Sequence, residues 1–524
     1  MHRNRSVMKK NFAQIPKADI NRSTFDRSHG YKTAFDAGYL IPVFCDEILP
    51  GDSCKLSMTA FARLATPIYP LMDNMFLDTH WFFVPTRLVW DNFQRFMGEQ
   101  DNPTDSTDYL VPQCTSDSAT GYAVGSIFDY LGLPTGIPNL QHNVLPLRCL
   151  NLIYNQWYRD ENLQDSLIVH KGDGPDSPLD YNLFRRGKRP DYFTSCLPFP
   201  QKGPAVTIPL GTSAPVIATG PGAPTFRVNT IGGQHLRGAA AGVGVEWQTA
   251  PGAASNALWD DPALSADLSA ATSATINSLR QAFAIQQLFE KDARGGTRYQ
   301  ELVWQHFQVR GADSRLQRPE YLGGGSTPVN ISPVPQTSGT GAYTPTPQGN
   351  LSAFGTALAS NHGFTMSFVE HGYVIGLASV RSDLTYQQGM RKMWSRRTKV
   401  DYPWPTLAQL GEQAVLRKEI YATGIPANDD AVFGYQERYA EMRYKPSEIT
   451  GLFRSTAAQS LDAWHLSQEF TAAPTLSPEF IEENPPIDRC IAVPTEPHFL
   501  MDCYYKYIHT RPLPMFGVPG LKRL

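Results

Sequence analysis

Charge is scarce in this sequence. Only 18% of its 524 residues are Asp, Glu, Lys or Arg, where about a quarter is usual. A protein that must stay monomeric in water tends to carry more, so much of the surface is expected to be hidden by neighbours. Paired cysteines are missing too. Cys45, Cys54, Cys114, Cys149, Cys196, Cys490 and Cys503 make an odd number with no Cys-x-x-Cys among them. Neither a disulfide framework nor a zinc site is indicated, and a reducing compartment fits. No stretch approaches the ~18 apolar residues of a membrane span. The basic start, with Arg3, Arg5, Lys9 and Lys10, is not followed by an apolar run. Neither membrane insertion nor a signal peptide is therefore expected.

Catalytic signatures are absent as well. There is no G-x-S-x-G, no H-E-x-x-H, no Walker loop and no complete G-x-G-x-x-G; Gly242-Val243-Gly244 begins the last without finishing it. The histidines are scattered, none at the i, i+4 or His-x-His spacing of a ligand pair on one element. The acidic neighbours Asp46-Glu47, Asp429-Asp430 and Glu482-Glu483 would point to opposite faces of a strand. No catalytic residue, metal ligand or cofactor is expected. A net charge of −3 also argues against a protein whose whole surface grips nucleic acid.

What is present is strand pattern. From 54 to 64 in steps of two stand Cys54, Leu56, Met58, Ala60, Ala62 and Leu64, all apolar. Between them lie Lys55, Ser57, Thr59, Phe61 and Arg63, and only Phe61 breaks the alternation. A period of two means one face in a core and one in water. The next run, Thr79-His80-Trp81-Phe82-Phe83-Val84-Pro85, is bulky throughout and predicts a strand covered on both faces. Together they predict a β-sandwich whose outer surface is itself covered. Phe364, Met366 and Phe368 alternate with polar residues, and the run 373–380 is expected to continue that strand past a bulge at Gly372. Further strands are expected at 38–49, 206–210, 491–493 and 499–507. Strands at both chain ends with long excursions between them fit an eight-stranded antiparallel jelly-roll sandwich with a few short helices.

Proline, at 42 residues, and aromatics, at 11%, suit long ordered loops. Residues 1–36 are expected as an extended arm and 37–524 as the sandwich domain. Within it, 211–272 is poor in charge and rich in Ala and Gly, and is expected as a surface protrusion with Phe226, Trp247 and Trp259 on it. Residues 323–350 carry no charge and are expected as a surface loop. Helices are expected over 89–97, over 147–157, from 276 to the Arg294-Gly295-Gly296 stop, and over 299–307. One segment combines cations with aromatic rings: Arg391, Lys392, Trp394, Arg396, Arg397 and Lys399, followed by Tyr402 and Trp404. Cations neutralise phosphates and rings stack on bases, the pairing that single strands favour; salt bridging or a solvated face is the competing expectation.

Several longer motifs resemble the major capsid proteins of the gokushoviruses, small single-stranded DNA bacteriophages of the microvirus family. They are the Thr79 to Pro85 run with Arg87 and Trp90, Gly187-Lys188-Arg189 leading to Tyr192-Phe193-Thr194-Ser195, and Lys291-Asp292-Ala293-Arg294-Gly295-Gly296-Thr297-Arg298-Tyr299. Further on come Arg315-Leu316-Gln317-Arg318-Pro319-Glu320-Tyr321-Leu322-Gly323-Gly324, Gly411-Glu412-Gln413-Ala414, Phe433-Gly434-Tyr435-Gln436-Glu437-Arg438-Tyr439-Ala440-Glu441 and Phe480-Ile481-Glu482-Glu483-Asn484-Pro485-Pro486. The resemblance implies a jelly-roll subunit without enzyme activity, in a shell of sixty identical subunits with T=1 icosahedral symmetry around circular single-stranded DNA. It implies an insertion that protrudes and meets a host cell-surface receptor, at 211–272 by position. The implied partners are an internal scaffolding protein, a pilot protein and a small basic DNA-binding protein, with assembly in the bacterial host cytoplasm. A carbohydrate-binding or carbohydrate-active sandwich is the alternative; it would need paired carboxylates in a cleft or an aromatic platform.

Overall fold

The computed structural model describes residues 21–206, 276–339 and 347–516. Between 207 and 275 it describes seven short strands only. The chain divides into two compact units, Met1–Pro200 with Ala293–Leu524, and Gln201–Asp292.

The larger unit is built on two antiparallel sheets. Its strands are β1 (Ser23–Asp26), β2 (His29–Phe35), β3 (Ile41–Ile48), β4 (Ser53–Leu64), β5 (Met75–Pro85), β6 (Glu320–Pro328), β7 (Asn330–Pro335), β8 (Leu351–Ser367), β9 (Gly372–Ser382) and β10 (Phe499–Arg511). The first sheet runs β1-β10-β4-β8-β7, with β2 also paired to β10. The second runs β6-β5-β9-β3. The alternation along β4 is realised in full: the six residues from Cys54 to Leu64 in steps of two are buried, and those between them are half-buried or exposed.

The buried faces of the two sheets meet over aromatic side chains. Trp81 on β5 packs edge-on to Phe44 of β3, with ring centroids 5.6 Å apart, and to Tyr505 of β10 at 6.0 Å. The Tyr505 hydroxyl donates to the Val43 carbonyl at 2.9 Å, tying one sheet to the other. The opposite face of the second sheet is covered as well. Phe82, Val84, Ile375 and Leu377 share a second apolar cluster with Val89 and Trp90 and with Leu147, Leu150 and Ile153 of the helix Leu145–Ile153. Strands enclosed on both faces lose their alternation, which accounts for the unbroken bulk of 79–85. Burial of the thiols raises Cys54 and Cys490 to about 11. They are protonated at neutral pH and pack as small hydrophobes.

The structure corrects several expectations. Residues 323–350 are not simply a loop, because β6 and β7 lie there. Their glycines are demanded by close approach: a Cβ on Gly323 would sit 2.7 Å from the Gly363 carbonyl oxygen, and one on Gly324 2.3 Å from that of Thr79. Residues 21–35 include two strands on the edge of the first sheet, where Phe35 is buried; one polar face hid their periodicity. Gly372 is no bulge. The chain crosses from one sheet to the other between β8 and β9. At 491–493 there is a single bridge, Ile491 to Pro67, rather than a strand. The strand expected over 206–210 lies almost wholly outside the described residues.

In the smaller unit a three-stranded sheet orders Ile231–Gln234, Thr225–Val228 and Leu258–Asp261. Backbone register sets Trp259 opposite Phe226, while Trp247 falls outside the described residues. The helix Ile276–Arg294 begins in this unit.

Candidate functional site

The basic segment starts where Met390 N–H donates to the Lys418 carbonyl at 2.8 Å. A Cβ on Gly389 would lie 2.0 Å from the Glu419 carbonyl oxygen, so only glycine lets the two segments run this close. Two single helical turns follow, Lys392–Ser395 and Lys399–Asp401. The second is capped by the Asp401 carboxylate, which accepts from the N–H groups of Thr398 at 2.7 Å and Arg397 at 2.8 Å. Those bonds hold the Asp401 carboxyl below the usual carboxylate range.

Three of the six predicted contact residues are already matched to carboxylates. Arg391 forks onto Glu448. Lys392 Nζ donates to the Ala414 carbonyl at 2.9 Å and lies 3.6 Å from Glu419. Arg396, almost buried, meets Glu441 at 3.1 Å, and the other Glu441 oxygen accepts from Gln413 at 2.6 Å. The remaining three face water. Trp394 is 70% exposed. Arg397 is exposed, and Lys399 lies with Nζ 5.3 Å from the centre of the Trp404 ring.

Beside the segment is a cavity of about 370 Å³ lined by Tyr192, Phe193, Tyr386, Met393, Tyr444 and the matched pairs. The Tyr192 hydroxyl donates to Glu419 at 2.8 Å; burial, with Glu419 next to it, drives that phenol well above its ordinary value. The pairing of Glu419, Glu441 and Glu448 with these cations is not visible in the sequence because they stand far along the chain from them, with no local spacing to mark it. With each carboxylate engaged, the cavity offers no free pair for acid–base work on a sugar. Elsewhere, His80 shares a hydrogen bond of 2.7 Å with the Tyr158 hydroxyl, and burial lowers it to about 4. His362 lies between Thr79 at 2.8 Å and Thr327 at 3.1 Å. These are histidines satisfied by neighbours, and among the described residues no cluster of His, Cys, Asp or Glu could hold a metal ion.

Comparison with known proteins agrees over nearly the whole length. A family model described as capsid protein (F protein) matches residues 13–521. The capsid protein VP1 of Bdellovibrio phage phiMH2K is 52% identical over 522 residues, covering 97% of each chain. That of Chlamydia phage 1 is 46% identical, covering 99% of each, and that of Spiroplasma virus 4 is 36% identical, covering 98% of each.

Proposed function

Since the chain belongs to the F protein family of capsid proteins, we propose that about sixty copies of it close into a T=1 icosahedral shell around a circular single-stranded DNA genome. It is a structural major capsid protein, and its place is the virion. The observation that carries the finer reading is the pairing of the strands. Taking β1 with β2 as one interrupted strand, the first strand pairs with the last (β10), β3 with β9, β4 with β8, and β5 with β6. We read that pairing as a long hairpin rolled into a sandwich, an eight-stranded jelly roll with β7 added at one edge. Such a subunit keeps its loops at the ends of the sandwich, where they meet loops of other copies. Each lasting contact would bury on the order of 2,000 Å² or more.

The smaller unit overlaps 211–272, the stretch assigned to the protrusion, and attachment to a host cell-surface receptor is our reading of its role. Purified full-length protein is expected to give uniform closed particles in the electron microscope. Deletion of residues 213–270 is expected to leave those particles intact and to lower adsorption of phage to host cells several-fold. A stable monomer at high concentration would overturn the shell. Loss of particles on deletion would overturn the division of labour.

The genome would meet the free part of the basic segment, Trp394, Arg397 and Lys399. Arg397→Ala combined with Lys399→Ala is expected to lower the DNA packaged per particle, read by the ratio of absorbance at 260 and 280 nm. Unchanged packaging would make the segment a solvated face. The net charge of −3 leaves most of the genome's charge to another component, in keeping with a separate small basic DNA-binding protein. A scaffolding protein, a pilot protein and assembly in the host cytoplasm complete the reading.

A further inference from the structure

Phe61, the residue that breaks the alternation of β4, lies on the outward face of the first sheet, and it is not alone there. Cross-strand register sets it directly opposite Leu358 of β8 and diagonal to Leu500 and Tyr504 of β10. With Phe354 further along β8, these five side chains are between 42% and 64% exposed. Single apolar residues on a surface are ordinary, but several gathered on one sheet face mark an interaction surface.

The charges around these side chains are mostly of one sign. Arg63 and Lys55 stand toward the two ends of β4, about 27 Å apart at the rise of an antiparallel strand. Both are exposed and make no ion pair or hydrogen bond among the described residues. Lys506 is exposed on β10, opposite Ser57. Lys32 on β2 meets Asp502 at 3.1 Å, with both side chains more than half exposed. Asp26, on the same face, is bound to Ser28 and feels Lys506. Four cations thus face two carboxylates across a surface that also presents the rings of Phe61, Phe354 and Tyr504.

From this arrangement we infer that the outward face of the first sheet is a platform for single-stranded nucleic acid, with bases on Phe61 and Tyr504 and phosphates at Lys55, Arg63 and Lys506. Rings offer faces to any base, and the cations take the backbone, so binding is tolerant of sequence. A second copy seated on this face would set one mostly cationic surface against another, which like-charge repulsion disfavours. The chain's own first twenty residues, with Arg3, Arg5, Lys9, Lys10 and Lys17 against Asp19, carry the wrong sign to cover it. The inference rests on the single-stranded DNA genome proposed above for its choice of ligand, and it adds a surface distinct from the basic segment.

The test is fluorescence anisotropy of a labelled oligothymidylate of about a dozen nucleotides with the full-length protein across a salt series, with electron microscopy of the same preparations. Phe61→Ser with Tyr504→Ser is expected to weaken binding about tenfold or more while leaving the salt dependence unchanged. Lys55→Gln, Arg63→Gln and Lys506→Gln together are expected to flatten the slope of log affinity against log salt by about 0.7 per cation. All five positions are on the exposed face, so circular dichroism should match the wild type. Wild-type binding in both variants overturns the proposal, as does loss of binding only in Arg397→Ala with Lys399→Ala. Failure of the Phe61 and Tyr504 variant to form particles, with oligonucleotide affinity intact, overturns it in favour of a contact between proteins. If the wild type forms particles but binds no oligonucleotide, the platform falls and the shell stands.

Discussion

Asp176→Ala should destabilise the protein by about 3–5 kcal/mol, because it strands a charge inside the layer that covers the second sheet. Arg148 is fully buried on the helix Leu145–Ile153, and the Asp176 side chain is 2% exposed. Arg148 Nε and Nη2 donate to the two carboxylate oxygens at 2.7 and 2.6 Å. Its Nη1 donates to the carbonyls of Val89 at 3.0 Å and Gly172 at 2.9 Å, and the Tyr181 hydroxyl donates to Asp176. With the carboxylate gone, a guanidinium and a phenol remain without their acceptor where water cannot replace it. The double variant Arg148→Met, Asp176→Leu should recover most but not all of the loss. It removes both charges but leaves the two carbonyls and the Tyr181 hydroxyl unmatched. Urea titration followed by tryptophan fluorescence gives both values; a single-variant midpoint equal to wild type would contradict the account. Burial by itself would raise the Asp176 carboxyl, but Arg148 and Tyr181 outweigh it and hold it below the usual range. A carboxyl lowered in the folded state stabilises fully above its unfolded value of about 3.9, and that contribution fades as the pH falls through the folded value.

Trp81→Ala should cost a similar ~3–5 kcal/mol, by opening a cavity between the two sheets. The indole is fully buried and touches both sheets, with Phe364 of β8 at 6.1 Å between ring centroids in addition to Phe44 and Tyr505. It lies over Gly376, where a Cβ would be 2.3 Å from the ring. Trp81→Phe should cost far less than alanine, because the indole N–H has no hydrogen-bond partner among the described residues. Phenylalanine gives up some volume and removes an unsatisfied donor along with it. Urea titration followed by circular dichroism would rank the two, and equal losses would show that the site repacks freely. Particle yield should follow the same order, since a subunit whose sheets part cannot hold its loops in register for its neighbours.

Trp81 lies in a stretch whose role was legible early, whereas Arg148 and Asp176, 28 residues apart, carry no local mark of their pairing. The period of two in β4 and the unbroken bulk of β5 announced one half-wet strand and one enclosed strand. β8 and β9 were harder. Met366, Phe368 and Tyr373 all suit a strand, and nothing local marks the crossing between sheets at 368–371. β6 was missed because Gly323-Gly324-Gly325 has the composition of a loop. Its glycines answer to Gly363, Thr79 and His362, which are distant in sequence. The candidate site divides the same way. Its six residues are visible as a run, yet Arg391 and Arg396 are matched by Glu448 and Glu441, 57 and 45 residues further on.

By itself, then, the sequence determined that β4 buries one face and β5 both, where the helices ending at Arg294 and Phe307 stop, and which capsid family the chain belongs to. Alternation, capping and long motifs are all written in neighbouring residues. The tertiary structure alone decided which cations remain free, which glycines are required and which exposed side chains stand beside Phe61. Each of those depends on what β-pairing brings alongside from hundreds of residues away, and a side chain's charge is available to a partner only when no such neighbour has already met it.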